Sequence, residues 1–420
     1  MAIRRIRVSN YKSFGNLDVS LGNFNVLIGA NASGKSNFIQ ILKFLRDIAT
    51  DGLENAISLQ GGIAYLRNMR IGSSAPLALE VTTNQPVALP IAATMVDGST
   101  LSVRVDESTY AFELRFKEKD PAFVVAADRW TVKARFFVYE ADERRDRFTE
   151  RTLCEGSITF DNVGGEVKAH VDLPEDAPVK AAQVERILGF LRAIKVPAKA
   201  LLLEGTDFPF IRDLFTDTSV CDFDPKLPQK AVPIRAKAEL EEDGSNLALA
   251  IKAIVQNKSR RRKLSNLLRD LLPFVDHLDV ETFADRSLLF KVKETYFRKD
   301  FVPASLISDG TINIAALLIA LYFEKKSVTI IEEPDRSVHP YLISRLMGMM
   351  KDAARKKQII VTTHNPQIVK HADLDSLLLV SRDDEGFSSI CRPAEKAEVR
   401  TFLQNEIGID ELYVQRLLEC

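Results

Sequence analysis

The chain has 420 residues, 46% of them apolar and 27% charged, an ordinary mix for a folded protein that excludes bulk disorder. Its formal net charge is −1, which excludes a global basic field, so any contact with nucleic acid must come from a local patch. The four cysteines, Cys154, Cys221, Cys391 and Cys420, lie far apart and form no CxxC pair. A reduced, cytoplasmic setting without zinc or a disulfide framework is expected.

The N-terminal MAIRRIRVSNYKSF is basic but has no apolar core behind it, so it does not read as a signal peptide. IRRIRVSNY and LDVSLGNFNVLIG read as strands, and NFIQILKFLRDI places Phe38, Ile41, Leu42 and Leu45 at helical spacing. Between them, GANASGKS (29–36) matches GxxxxGK[ST] after a strand and before a helix, the context a phosphate loop needs. Gly29 and Gly34 let the backbone turn tightly, so that the N–H groups of Ala30, Asn31, Ala32, Ser33 and Asn37 can meet phosphate oxygens. Lys35 would reach the β- and γ-phosphates of ATP, and the Ser36 hydroxyl would ligate Mg²⁺.

From about 78 to 173 the pattern is β-rich, with LALEVTT, LSVRV, YAFELRF, WTVKARFFVYE and GSITF separated by turn residues. From about 175 to 285 it is mostly helical, and KSRRRK (258–263) forms a basic joint between two helices. INIAALLIALYF (312–323) is far short of the roughly 20 residues of a spanning helix and is followed by charges, so a buried helix is expected. The remainder alternates strand and helix as a mostly parallel sheet does.

VTIIEEPDRSVHP (328–340) runs a short strand into Glu332 and Glu333. Glu332 would hold a metal-bound water beside Ser36, and Glu333 would orient or deprotonate an attacking water. IIVTTHNP ends the following strand at His364, a candidate γ-phosphate sensor, whereas His339 reads as a helix-start residue. LISDGTINIAALLIAL places Ser308, Asp309 and Gly310 at the start of a long apolar helix, a second anion-binding terminus that makes sense if it faces the nucleotide of another subunit.

Together IRRIRVSNYKSF, VLIGANASGKSN, EDGSNLALAI, LISDGTINIAALL, IIEEPDRSVHPYL and VTTHNPQIV resemble the ABC-type ATPases of the SMC/RecF-like group, especially the compact bacterial AAA15/AAA21, OLD-like ATPases. Region 85–235 carries no matching motif. The resemblance implies two heads sandwiching two ATPs, each phosphate loop facing the Ser308-Asp309-Gly310 stretch of a partner copy. It also implies that the double Glu is a family habit and the site is live. Ala32 stands where many members have Gly, Asp335 where Glu is usual, and Gln60 is the only Q-loop candidate. The acidic SRDDEG (381–386) reads as a hairpin turn, and a Toprim nuclease domain is not expected after Cys391.

The expected fold is α/β, a P-loop NTPase of ABC-ATPase head type with an inserted antiparallel β-rich region and a helical subdomain. The expected parts are 1–84 with the phosphate loop, 85–174 β-rich, 175–300 helical, and 301–420 with the signature, the acidic pair and His364. The expected function is an ATP- and Mg²⁺-dependent ATPase that forms a homodimer or larger homo-oligomer. It would drive or gate a partner effector, such as a nuclease or toxin, in bacterial anti-phage defence or DNA maintenance. A DNA-binding clamp controlled by ATP and a non-hydrolysing ATP-sensing scaffold are the alternatives; no membrane partner is expected.

Overall fold

The computed structural model describes residues 2–84, 87–94, 100–117, 122–142, 147–205, 209–234, 239–283, 286–297, 299–395 and 413–414. In chain order the first elements are strands β1 (Ala2–Tyr11), β2 (Phe14–Ser20) and β3 (Phe24–Ile28), then helices α1 (Lys35–Asp51), α2 (Leu53–Leu59) and α3 (Ile63–Leu66). Six strands follow: β4 (Leu77–Asn84), β5 (Val87–Thr94), β6 (Thr100–Phe116), β7 (Phe123–Asp142), β8 (Arg147–Val163) and β9 (Glu166–Asp172). Next come α4 (Ala181–Ile187), α5 (Pro209–Thr216), β10 (Thr218–Cys221), β11 (Val232–Pro233), α6 (Leu247–Val255) and α7 (Lys258–Leu271). Three strands, β12 (Val275–Thr282), β13 (Ser287–Glu294) and β14 (Val302–Pro303), precede α8 (Asp309–Tyr322). The chain then alternates β15 (Val328–Glu332), α9 (Pro340–Ala353), β16 (Gln358–Thr363), α10 (Pro366–His371), β17 (Leu377–Arg382) and β18 (Ser388–Cys391). The α/β expectation with an antiparallel β-rich insertion is borne out.

Two compact units divide the chain. One comprises Met1–Gly22, Ser36–Asp217 and Arg382–Ile390, and the other Asn23–Lys35, Thr218–Ser381 and Cys391–Cys420. LDVSLGNFNVLIG, read above as continuous strand, breaks at Leu21–Asn23: β2 pairs antiparallel with β1, whereas β3 lies parallel between β16 and β17. Gly22 and Asn23 are the turn residues that permit the switch.

In the first unit an antiparallel sheet runs β2-β1-β4-β6-β7-β8-β9, with β5 added to β6. β4 alternates inward Leu77, Leu79 and Val81 with outward Ala78, Glu80 and Thr82, the period of a half-buried strand. An aromatic chain ties α1 to this sheet, from Tyr11 to Phe44 at 6.1 Å, Phe44 to Phe112 at 6.4 Å and Phe112 to Tyr110 at 6.1 Å between ring centroids. Beside Tyr110 sits a buried carboxylate, Asp128. It accepts from the Tyr110 hydroxyl (2.8 Å), Asn162 Nδ2 (3.0 Å) and the Leu202 backbone N–H (2.8 Å). Desolvation outweighs these three donors and pushes the Asp128 carboxyl up to about 6.

In the second unit a parallel sheet is ordered β10-β15-β16-β3-β17. β15 and β16 are buried over most of their length, as strands covered on both faces must be. A smaller antiparallel sheet holds β11, β13, β12 and β14. α8 is buried from Thr311 to Leu321, the fate expected of its apolar run, and no helix among the described residues is long and apolar enough to cross a membrane. Cys154 and Cys221 are free thiols, but Cys391 is disulfide-bonded, which the reading of four unpaired cysteines did not include. Distance along a chain does not set distance in space, and a bridge closes where Cα separation and Cβ direction allow it.

Candidate nucleotide site

β3 delivers the chain into the loop Gly29–Gly34, and α1 starts at Lys35, so the helix N-terminus points its unpaired N–H groups back at the loop. A Cβ on Gly29 would lie 2.2 Å from the Val380 carbonyl oxygen, so only glycine fits there. Gly34 turns at φ 119° and Ala32 at φ 64°. An L-residue held at that positive φ is strained. Ala32→Gly is expected to stabilise the fold by about 0.5–1 kcal/mol, read as a higher urea midpoint.

Lys35 is buried and its ammonium donates to the carbonyls of Gly29 (2.7 Å) and Ala30 (2.9 Å). Desolvation lowers its pKa, while the charges of Glu333 and Glu332 pull it back up. Ala30, Asn31 and Ala32 are exposed along the loop. Ser36, the second residue of α1, is also exposed, and Asn37 donates its side-chain amide to Ser13 Oγ at 2.8 Å.

The register of β15 against β16 pairs Glu332 with Thr362, and the Glu333 N–H donates to the Thr362 carbonyl at 2.9 Å. This places Glu333 at the mouth of the sheet in a left-handed conformation, φ 45°. A bulky non-glycine residue held there stores strain of about 1–3 kcal/mol, typical of positions fixed for a task. Its Oε1 lies 2.9 Å from His364 Nδ1 and its Oε2 accepts from Arg336 Nη2 at 3.2 Å. Burial raises the Glu333 carboxyl, but those two partners outweigh it and hold the group below the usual carboxylate range. An ionised carboxylate only accepts, so His364 Nδ1 carries the proton in this contact.

Sequence reasoning did not find the residues that fix this pair. Arg336 is anchored by the Phe223 carbonyl (3.1 Å) and Asp222 (3.3 Å). Asp335 accepts from Thr363 Oγ1 (3.0 Å) and Asn365 Nδ2 (2.8 Å), clamping both neighbours of His364. Asn313 on α8 donates to the Arg336 (2.8 Å) and Pro334 (3.4 Å) carbonyls. A lone amide inside an apolar helix was the one visible signal.

Ser308 caps α8, its Oγ accepting from the Thr311 N–H at 3.4 Å, and Asp309 accepts from Gln229 Nε2 at 3.2 Å. A Cβ on Gly310 would lie 2.4 Å from the Ser337 carbonyl oxygen, so the start of α8 rests directly on the turn after Glu333. Gly310→Ala is expected to force that contact apart and destabilise the fold by about 1–3 kcal/mol, measurable by chemical denaturation. His339 caps α9, accepting from the Tyr341 N–H at 3.4 Å. Gln60 is buried and donates its amide to Gln40 at 3.0 Å.

Mg²⁺-ATP fits what is present: a glycine turn at which a side chain would collide, a lysine and a helix N-terminus for phosphates, and two carboxylates beside them. Among the described residues no group of three or more His, Cys, Asp or Glu forms a metal cage.

No curated protein matches the sequence. Among solved structures the chain is similar to an SMC head bound to the C-winged helix domain of ScpA, at 16% identity and TM-score 0.49, covering 93% of this chain and 98% of that one. It is also similar to the SMC head domain from Thermotoga maritima, at 14% identity and TM-score 0.42, covering 93% and 99%. A third is the Smc head domain with an extended coiled coil bound to the C-terminal domain of ScpA, derived from Pyrococcus furiosus, at 16% identity and TM-score 0.43, covering 96% and 98%. The family model described as "AAA domain, putative AbiEii toxin, Type IV TA system" matches residues 24–370. That span runs from β3 through α8 and the acidic pair into α10, and the chain belongs to this family of AAA-domain proteins.

Proposed function

We propose that the protein is an ATP-hydrolysing, ABC-type ATPase that pairs with a second copy around ATP and drives or gates a partner effector in anti-phage defence or DNA maintenance. The observation that carries the catalytic part is the 2.9 Å contact between Glu333 and His364, each one residue past the end of adjacent parallel strands, close enough to Lys35 for both glutamates to act on its charge. Lys35 and the N–H groups of residues 30–37 bind the phosphates. Glu333 orients the attacking water and takes its proton, and His364 holds Glu333 through Nδ1 beside the γ-phosphate. Ser36 and Glu332 would hold Mg²⁺, which when bound would neutralise charge on the β- and γ-phosphates. Ser308, Asp309 and Gly310 supply a second helix N-terminus for the γ-phosphate bound by the other copy.

This reading makes turnover per molecule depend on assembly. Specific activity is expected to rise with protein concentration and to plateau once the pair is formed, in step with mass measured by light scattering in ATP. A specific activity that stays flat across the range in which mass changes would overturn it.

A further inference from the structure

The first turns of α7 carry Lys258, Arg260, Arg261, Arg262 and Lys263 with no acidic residue in the first turn. Cations at a helix N-terminus oppose the macrodipole, so local helix stability does not account for their presence. The helix is started instead by Asn257, whose side chain accepts from the Arg260 N–H at 3.1 Å. Among the described residues none of the five cations makes an ion pair. Lys263 Nζ lies 5.3 Å from both the Tyr322 and Phe323 ring centroids, and Arg260 Cζ lies 5.7 Å from Phe323. These rings stand at the C-terminal end of α8.

The same helix end gathers a second basic run that the sequence separates from the first by about 90 residues. Lys357, just after α9, donates to the Ala320 carbonyl at 2.6 Å and to the Glu324 carbonyl at 3.5 Å, which brings the end of α9 against the end of α8. Arg355 and Lys356 beside it are exposed, as is Lys325, and no ion pair joins them to an acid among the described residues. A chain of net charge −1 thus gathers two basic runs around one helix end, with Asp352 and Asp270 beside Tyr322 as the acids there.

We propose that this patch, α7 residues 258–263 with Lys325, Arg355 and Lys356, binds the phosphate backbone of nucleic acid without reading its sequence. Long flexible side chains with no acidic partners suit a string of phosphates, where each neutralised phosphate releases condensed counterions. The patch lies at the opposite end of α8 from Ser308, Asp309 and Gly310, so it is separate from the nucleotide site and its test needs no ATP.

The test is fluorescence anisotropy with the full chain and labelled duplex DNA, single-stranded DNA and single-stranded RNA of random sequence, titrated with salt. Wild type is expected to bind at low salt and to weaken with a log–log slope of about −0.9 per phosphate contacted on a duplex. Lys258→Glu combined with Arg262→Glu should weaken binding by at least about tenfold and flatten the slope by about 2. Lys258→Glu places an acid at the helix N-terminus, where it favours the helix. Arg355→Ala with Lys356→Ala should weaken binding in the same sense from the other side of the patch. Lys168→Glu on β9 should leave binding unchanged. Wild type that binds none of the three nucleic acids, both double variants binding as wild type does, or preferential binding to phosphatidylserine vesicles would overturn the proposal.

Discussion

Glu333→Gln is expected to reduce ATP turnover by about 10²–10⁴-fold, the usual contribution of a positioned general base, while leaving ATP binding intact. The side chain keeps its volume, so the strained backbone at φ 45° and the packing of the turn have no reason to change. Two things are lost together. A neutral amide cannot take a proton from water. It also offers a single acceptor oxygen to two donors, Arg336 Nη2 and His364 Nδ1, where the carboxylate offers one to each. Under the proposed function the nucleotide then stays bound, and the ATP-bound dimer should accumulate in light scattering, whereas wild type returns to smaller species as ATP is consumed. Full turnover in the variant would remove Glu333 from the base position and send attention to Glu332. Loss of ATP binding as well would mean that the carboxylate holds the loop rather than activates water.

How much of this was legible in the sequence follows from the range of each interaction. The phosphate loop, the Glu332–Glu333 pair and His364 are each written in a few adjacent residues after a β-branched strand, and strand–helix alternation alone puts neighbouring parallel strands side by side. These motifs all lie within residues 24–370, the span that the family model matches. Arg336 could not be read this way. Its partners Asp222 and Phe223 follow β10, more than a hundred residues earlier, and only pairing of β10 with β15 brings them together. The clamp of Asp335 on Thr363 and Asn365 likewise depends on the register of β15 against β16. Glycines divide in the same manner. Gly34 is predictable from its motif, but the reason for Gly310 is a carbonyl at Ser337 that no local pattern announces.

The strongest pH effect on stability should come from Asp128, far from any motif. Its folded pKa is about 6 against an ordinary value of 3.8, so between those values the folded chain keeps a proton that the unfolded chain has released. Unfolding then releases protons, and stability falls as pH rises. The contribution is fully present below the unfolded pKa and lost as pH passes through 6, which amounts to about 1.5 kcal/mol between pH 5 and pH 8. Carboxylates held low by cations, Glu166 by Lys195 and Asp276 by Arg269 among them, act in the opposite direction but only at lower pH, so the window from 5 to 8 isolates Asp128 from them. Asp128→Asn should flatten that slope. It should cost little at pH 5, because the protonated acid already presents a hydrogen among the Tyr110, Asn162 and Leu202 groups, as the amide does. Urea midpoints of both proteins at four pH values between 5 and 8 measure this, and the difference between the two curves cancels the histidines they share. Parallel curves would show that another group titrates and that the Asp128 carboxyl stays ionised, held by its three donors against burial.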